Sequence, residues 1–368
     1  MAQIEQPVFG FSRPHTCKAG AGSDKYRCRG TDCQQRTEKE PASFRPAART
    51  DGSERTTRSG RMRLLVSNRP AATSKTLAHY AAVDYSAAIG MNHFKHCTIV
   101  PGTIDSHCHL TVAADRGVPV AEVVSLCFES GMAAMLDIAI QADDLPQRRR
   151  MVGDDRRILF SAGVHPAQAA DTTVEAAAAS IRDAAGNPAI VAIGETGLDW
   201  YRGREHAAAQ HALFEAQITL ANELDLPLIV HNRHATEDIY TVLRQSPVHR
   251  GGIMHCYSAG PEWVASFVDL GFAISFAGNL TFPRSDALRA AAALVPPDSL
   301  LVETDAPFLA PVPARGRPNH PGYLGHTLCA LAELRREPLE ELAHRTRENF
   351  LTLFPRARSR LTTREAAE

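Results

Sequence analysis

Five segments of this chain end in side chains that can hold a divalent cation: Ile104-Asp105-Ser106-His107-Cys108-His109, Ile193-Gly194-Glu195-Thr196, Leu228-Ile229-Val230-His231, Ile253-Met254-His255 and Leu301-Val302-Glu303-Thr304-Asp305. Four of the five follow an apolar run of strand length, and the first follows Thr98-Ile99-Val100. His107 and His109 are two residues apart at a strand end, so both point to one face. Two imidazoles placed in this way grip one cation, at about 2.0–2.1 Å from each nitrogen if the metal is zinc. A single histidine at a strand end is commonly a polar cap on a core. A His-x-His pair joined by Glu195, His231, His255 and Asp305 at four further strand exits points to one metal centre. Six ligands exceed what one open catalytic site uses, so two divalent ions with a bridging carboxylate are expected. The ligand types admit Mg, Mn or Zn alike.

The absence of lysine narrows the bridge. No lysine follows Lys95, so a carbamylated lysine of the kind used by dihydroorotase-like and urease-like enzymes is excluded from this region. Glu195 is the carboxylate available at a mid-sheet strand exit. Asp305 is expected to ligate metal and to act as general base for the attacking water, with a helix N-cap before Ala306-Pro307 as its competing role. Asp105, on the face of His107 and His109, is expected to orient a ligand from behind. Asp199 is expected to do the same for a ligating histidine. For substrate, the sequence offers His165 at the third strand's exit, Arg233 two residues past His231, and the loop arginines Arg202, Arg204, Arg315 and Arg317. Arginine forks suit phosphate oxygens. Trp200-Tyr201 could stack on a base or simply pack.

Such a site needs elements that bring distant strand ends together. Strands are expected at 98–106, 133–140, 158–164, 190–195, 227–231, 252–255, 272–276 and 300–304, alternating with helical stretches and followed by two closing helices near 322–335 and 338–352. Near-continuous apolar strands belong to a parallel sheet covered on its outer face. Eight βα units of this length match a (β/α)8 TIM barrel, an α/β fold with its chemistry at one rim. A doubly wound sheet competes, but no Gly-x-Gly-x-x-Gly follows the first strand. The expected organisation is a disordered N-terminal extension over 1–97, a barrel over 98–356 and a disordered tail over 357–368. Cys17, Cys28 and Cys33 near His15 match no usual zinc-finger spacing. Met62 and Met91 are alternative starting points for the chain.

Charge divides along the same boundary. Residues 1–100 carry 16 Lys and Arg against 8 Asp and Glu, whereas 101–368 carry 24 against 33. An acidic body of −9 lacks the basic footprint of an extended duplex track. No apolar stretch approaches the roughly 18–20 residues that span a bilayer. With no secretory start and eight irregularly spaced cysteines, a cytoplasmic protein with reduced thiols is expected.

The ordered set of segments resembles the TatD family of metal-dependent deoxyribonucleases. The matching stretches are Ile104–Leu110, Ala162–Pro166, Ala192–Asp199, Ile229–Arg233, Gly252–Ser258, Gly271–Thr281 and Leu300–Ala310. They continue through Pro313-x-Arg315-Gly316, Asn319-x-Pro321, Glu348-Asn349-Phe350 and Leu353-Phe354. The resemblance covers about 98–355. It implies a TIM barrel, divalent metals at His107, His109, Glu195, His231, His255 and Asp305, and hydrolysis of DNA phosphodiesters. With the acidic body, the expected substrate is a short, single-stranded or 3′ end of DNA, with no membrane and no obligate protein partner. The alternative is hydrolysis of another bond, such as an aminoacyl-tRNA ester or a small amide, because a metal-activated water attacks carbonyls too.

Overall fold

The structure, a computed structural model, describes residues 98–201 and 203–362. The expectations for residues 1–97 and for Arg202 lie outside the described residues. Strands β1 Ile104–Cys108, β2 Ala134–Asp137, β3 Ile158–Ala162, β4 Ile190–Asp199, β5 Leu228–Arg233, β6 Gly252–Met254, β7 Phe272–Phe276 and β8 Leu300–Val302 form one sheet in sequence order. Every neighbouring pair is parallel. A parallel bridge between Cys108 and Ala306 joins the two edges. The result is a (β/α)8 TIM barrel.

The helices are α1 Leu110–Asp115, α2 Val120–Glu129, α3 Leu145–Val152, α4 Val174–Ala185, α5 Ala207–Glu223, α6 Thr236–Gln245, α7 Val264–Asp269 and α8 Asp286–Leu294, with α9 Leu324–Arg335, α10 Leu339–Leu353 and α11 Pro355–Thr362 closing the chain. Their starts follow local chemistry. Thr173 caps α4 by accepting from the Ala176 amide at 3.2 Å, with Glu175 in the first turn, where a hydroxyl and a negative charge satisfy the exposed amide end.

Two apolar clusters show which side chains face inward. One contains Ile104, Leu136, Leu159, Val191, Ile229, Ile253 and Leu301, one residue from each of seven strands. The other packs strands against the helices. Because side chains alternate along a strand, Ile229 sets the face for His231 and Arg233, Ile253 for His255, and Leu301 for Glu303 and Asp305. The same inward stripe is hydrocarbon at mid-barrel and ligand at the C-terminal rim.

Three expected boundaries are corrected. The first strand begins at Ile104, not 98: Thr98 instead donates its amide to the Gly322 carbonyl (2.7 Å), and a turn at Pro101-Gly102 precedes the strand. β4 runs on to Asp199 rather than stopping at 195, paired with β5 as far as Arg233. The tail expected from 357 is helical to Thr362, since Ala357 and Leu361 join the cluster at the base of the barrel with Phe350 and Phe354. Its arginines are tied down: Arg356 donates to the Ala185 and Ile190 carbonyls, and Arg360 to that of Arg156. No helix among the described residues is long and apolar enough to cross a membrane.

Candidate metal centre

Glu195 stands at the middle of the site because β4 breaks its register there. Between the pairs Ile193–Leu228 and Thr196–Val230, β4 spends three steps where β5 spends two, a bulge that re-aims a side chain. Gly194 and Gly197 make this possible, at φ +131° and +137°. A Cβ on Gly197 would meet the His231 carbonyl oxygen at 2.1 Å. β1 carries a similar irregularity between Asp105 and Cys108, just before its two histidines reach the rim.

The two oxygens of Glu195 face different partners. Oε2 lies 3.4 Å from His107 Nε2 and 3.3 Å from His109 Nε2. Oε1 lies 2.7 Å from both His231 Nδ1 and His255 Nε2, and 3.6 Å from His165 Nε2. Asp305 closes the first group, with Oδ1 3.9 and 3.7 Å from the same His107 and His109 nitrogens. All of these side chains are buried. The structure therefore brings together the six expected ligands and adds His165 to the second group. His165 Nδ1 accepts from the Ala167 amide at 3.0 Å, which leaves Nε2 turned toward Glu195.

The donor set fits cations. His107 Nε2 and His109 Nε2 are 3.1 Å apart, close enough to converge on one point. Glu195 Oε2 is buried without a hydrogen-bond partner among the described residues, an arrangement that is costly for a carboxylate oxygen unless a positive group meets it. Clusters of buried ligand atoms form at His107, His109 and Glu195, at His107, His255 and Asp305, and at His165, Glu195 and His231.

Electrostatics follow from burial opposed by pairing. Burial pushes the Glu195 carboxyl up, yet the His255, His165 and His107 charges outweigh it and hold it well below the usual range. Burial opposes charging of His255, but Glu195 and Glu303 raise it well above an ordinary imidazole. Burial holds His107 down to about 4 and His165 to about 3. Asp305 is pushed up to about 7 by burial, with Glu303 and Glu195 adding to it against the His255 and His109 charges. The helix N-cap alternative for Asp305 does not hold. Ala306-Pro307 enters a turn, and the next helical residues are at Pro321.

Surrounding groups fix the ligands. Asp199 Oδ2 meets His231 Nε2 at 3.3 Å while Oδ1 accepts from the Tyr201 amide, which places it against a histidine of the cluster. Asp105 differs from expectation, because it holds no ligating imidazole. It accepts from the Thr304 amide at 2.9 Å and hydroxyl at 2.6 Å, and from the His107 amide at 3.3 Å, so it ties β1 to the segment carrying Asp305. Glu303 Oε1 lies 3.4 Å from His255 Nδ1 and accepts from the Cys256 amide at 2.7 Å. Asn319 donates to the Thr304 and Phe308 carbonyls and so clamps the Asp305 turn. Asp137 accepts from the Leu110 amide at 2.8 Å, setting the start of α1 directly after His109. Arg148, fully buried, sits 3.5 Å from that carboxylate and donates to the Asp137 and Ser161 carbonyls. Glu303, two residues before Asp305, carried a local sequence signal, and Asn319 one through the Asn319-x-Pro321 stretch of the family resemblance. Asp137 and Arg148 act from other elements and had none.

The cluster opens into a pocket bounded by Asn232 and Arg233 on one side and by Phe308 and Leu309 on the other. Arg233 is buried and lies 3.6 Å over the Tyr201 ring; Tyr201 itself is 40% exposed, whereas Trp200 packs inward and donates Nε1 to Asp238. Arg204 pairs with Asp238 at 3.0 Å, which takes it away from the mouth. Arg315 lies over Phe282 in an adjoining cavity.

The family model described as TatD related DNase matches residues 104–355. An uncharacterised metal-dependent hydrolase of Escherichia coli, YcfH, is 38% identical over 262 residues, covering 70% of this chain and 97% of that protein. YabD of Bacillus subtilis, also an uncharacterised metal-dependent hydrolase, is 34% identical and covers 68% of this chain and 98% of its own. Among solved structures, the TatD homologue YjjV of Escherichia coli superposes with a TM-score of 0.64 at 29% identity, over 69% of this chain and 98% of that one.

Proposed function

Because the chain belongs to the family of TatD-related DNases, we propose that it is a metal-dependent hydrolase that cleaves DNA phosphodiesters at short, single-stranded or 3′ ends, using two divalent cations. One observation carries the two-cation reading: Glu195 offers Oε2 to the His107–His109 pair and Oε1 to the His231–His255 pair. Divalent ions held there supply Lewis acidity and make a water nucleophilic near neutral pH.

The chain's own residues do the rest. His107, His109, Asp305 and Glu195 would hold one ion, and Glu195, His231, His255 and His165 the other. Asp305, at the rim beside the His107–His109 pair, is the carboxylate placed to take the proton of the attacking water. Arg233 on the pocket wall is held by Tyr201, so its guanidinium reaches a phosphate oxygen with little further ordering. Phe308 and Leu309 exclude bulk water from the opposite wall. The acidic body supports an end-acting enzyme, because a strand end needs only a few phosphates held near the metal centre.

The test strips the purified protein with a chelator, reloads it with Mg²⁺, Mn²⁺ or Zn²⁺, and follows 5′-labelled single-stranded and duplex oligonucleotides. A ladder shortening from the 3′ end, faster on the single strand, is expected. No cleavage of DNA together with turnover of an aminoacyl ester would replace this reading with the carbonyl-directed one.

A further inference from the structure

Beside the metal pocket, and sharing Phe308 and Leu309 with it, lies a cavity of about 260 Å³ edged by Arg116, Arg315 and Arg317. Arg116 follows α1 directly, and the other two arginines lie in the loop after β8. Chain topology brings them to one side of the mouth, because β1 and β8 are barrel neighbours.

Two features separate these arginines from a solvated surface. Arg116 Cζ sits 4.3 Å over the Phe308 ring, and Arg315 Cζ sits 4.1 Å over the Phe282 ring. Both rings are buried, so each guanidinium is held on a fixed platform and loses less freedom when it binds an anion. In addition, none of the three has a carboxylate within salt-bridge distance among the described residues. Arg148, Arg157, Arg182, Arg204, Arg250 and Arg289 all do. In a body of net −9, three exposed arginines that form no salt bridge among the described residues, grouped beside the metal pocket, make a local anion site, with Asp305 the acidic group whose charge reaches Arg116. Its cavity shares the Phe308 and Leu309 wall with the pocket where a phosphodiester would be cut.

We propose that this groove is a second phosphate subsite, in which Arg116, Arg315 and Arg317 hold the backbone phosphate of the nucleotide next to the one at the metal centre. The proposal rests on the phosphodiesterase reading above. It assigns to Arg116, far from the other two in sequence, the role of gripping the strand that continues away from the reacting end. A strand of two or more nucleotides then gains affinity over a lone phosphodiester.

The test separates binding from turnover. Metal-free full-length protein is titrated with a fluorescein-labelled ten-residue oligothymidylate by anisotropy, as wild type and as R116A/R317A, across a series of salt concentrations. Loss of the contact to that one phosphate on a single strand makes the slope of log K against log salt shallower by about 0.7, and Kd is expected to weaken at least tenfold. Equal Kd and slope in the two proteins, or no strand binding by the wild type, overturns the subsite. A turnover arm compares the same oligonucleotide with bis(p-nitrophenyl) phosphate on metal-reloaded protein. The variant is expected to lose the oligonucleotide's advantage through a higher KM, and an advantage kept in full overturns the subsite. A wild type that binds the strand through these arginines yet cleaves neither substrate overturns the phosphodiesterase reading while leaving the groove standing.

Discussion

Replacing Glu195 with glutamine tests the centre of the site with least change of shape. The amide keeps the side chain's volume but removes the charge that sits 2.7 Å from both His231 and His255. At that distance, with an effective dielectric near 20, the attraction between unit charges is about 6 kcal/mol before the cost of desolvation. After desolvation, disrupting a buried pair costs about 3–5 kcal/mol, which is two to four decades in an equilibrium constant. E195Q is therefore expected to lose about that much stability when metal-free at pH 6, and to hold cations less tightly and fall in activity because a neutral amide replaces the carboxylate between the two histidine pairs. The sign of its effect on metal-free stability can also be worked out. Glu195 raises the His255 pKa well above its unfolded value, so that contribution is fully present below about 6.5 and fades as pH rises through the folded pKa. E195Q should thus destabilise the metal-free protein more at pH 6 than at pH 9. The assay is metal content by mass spectrometry together with denaturant unfolding, with and without chelator, at both pH values. Two tightly bound equivalents in E195Q, or a stability loss independent of pH, would refute the reasoning.

Three further outcomes follow from groups around the centre. Arg148→Ala leaves Asp137 buried without its cation and should cost about 3–5 kcal/mol in denaturant unfolding; a loss under 1 kcal/mol would mean that the pair is dispensable. Asn319→Ala strips the donor from two buried carbonyls that shape the Asp305 turn, so unfolding should weaken by about 1–3 kcal/mol per carbonyl left unpaired, and activity should drop further than in a cap variant remote from the site such as Thr173→Ala. His320 is buried with its pKa held down to about 3, first by desolvation and then by His326. The unfolded chain therefore takes up a proton below about 6.5 that the folded one refuses, and stability falls by about 1.4 kcal/mol per pH unit toward pH 3. H320Q should flatten that acid limb in a pH series of unfolding curves, and an unchanged slope would assign it elsewhere.

The ligands were legible because each ends a strand whose own apolar run announces it. His231 follows Ile229 by two residues and His255 follows Ile253 by two, so local alternation alone put them on the barrel's inner face. The lack of lysine after Lys95 likewise turned a question of chemistry into a reading of composition, leaving Glu195 as the carboxylate expected to bridge. Asp199 and Arg233 lay beyond the expected strands, which stopped at 195 and 231, whereas the structure carries β4 to Asp199 and β5 to Arg233, past the bulge that Gly194 and Gly197 permit.

What the sequence determined by itself is therefore the order of the elements and the identity of the groups at their ends, since both depend on residues close along the chain. Tertiary structure alone decided which oxygen of Glu195 faces which histidine pair, because the β4 bulge sets that angle against β5. It decided that Asp105 serves the Thr304 backbone rather than an imidazole, through a contact 199 residues away. It also brought Arg116 beside Arg315, an adjacency that exists only because β1 and the segment after β8 close the barrel. Such contacts are set by the closure of the sheet, and no local pattern of side chains encodes them.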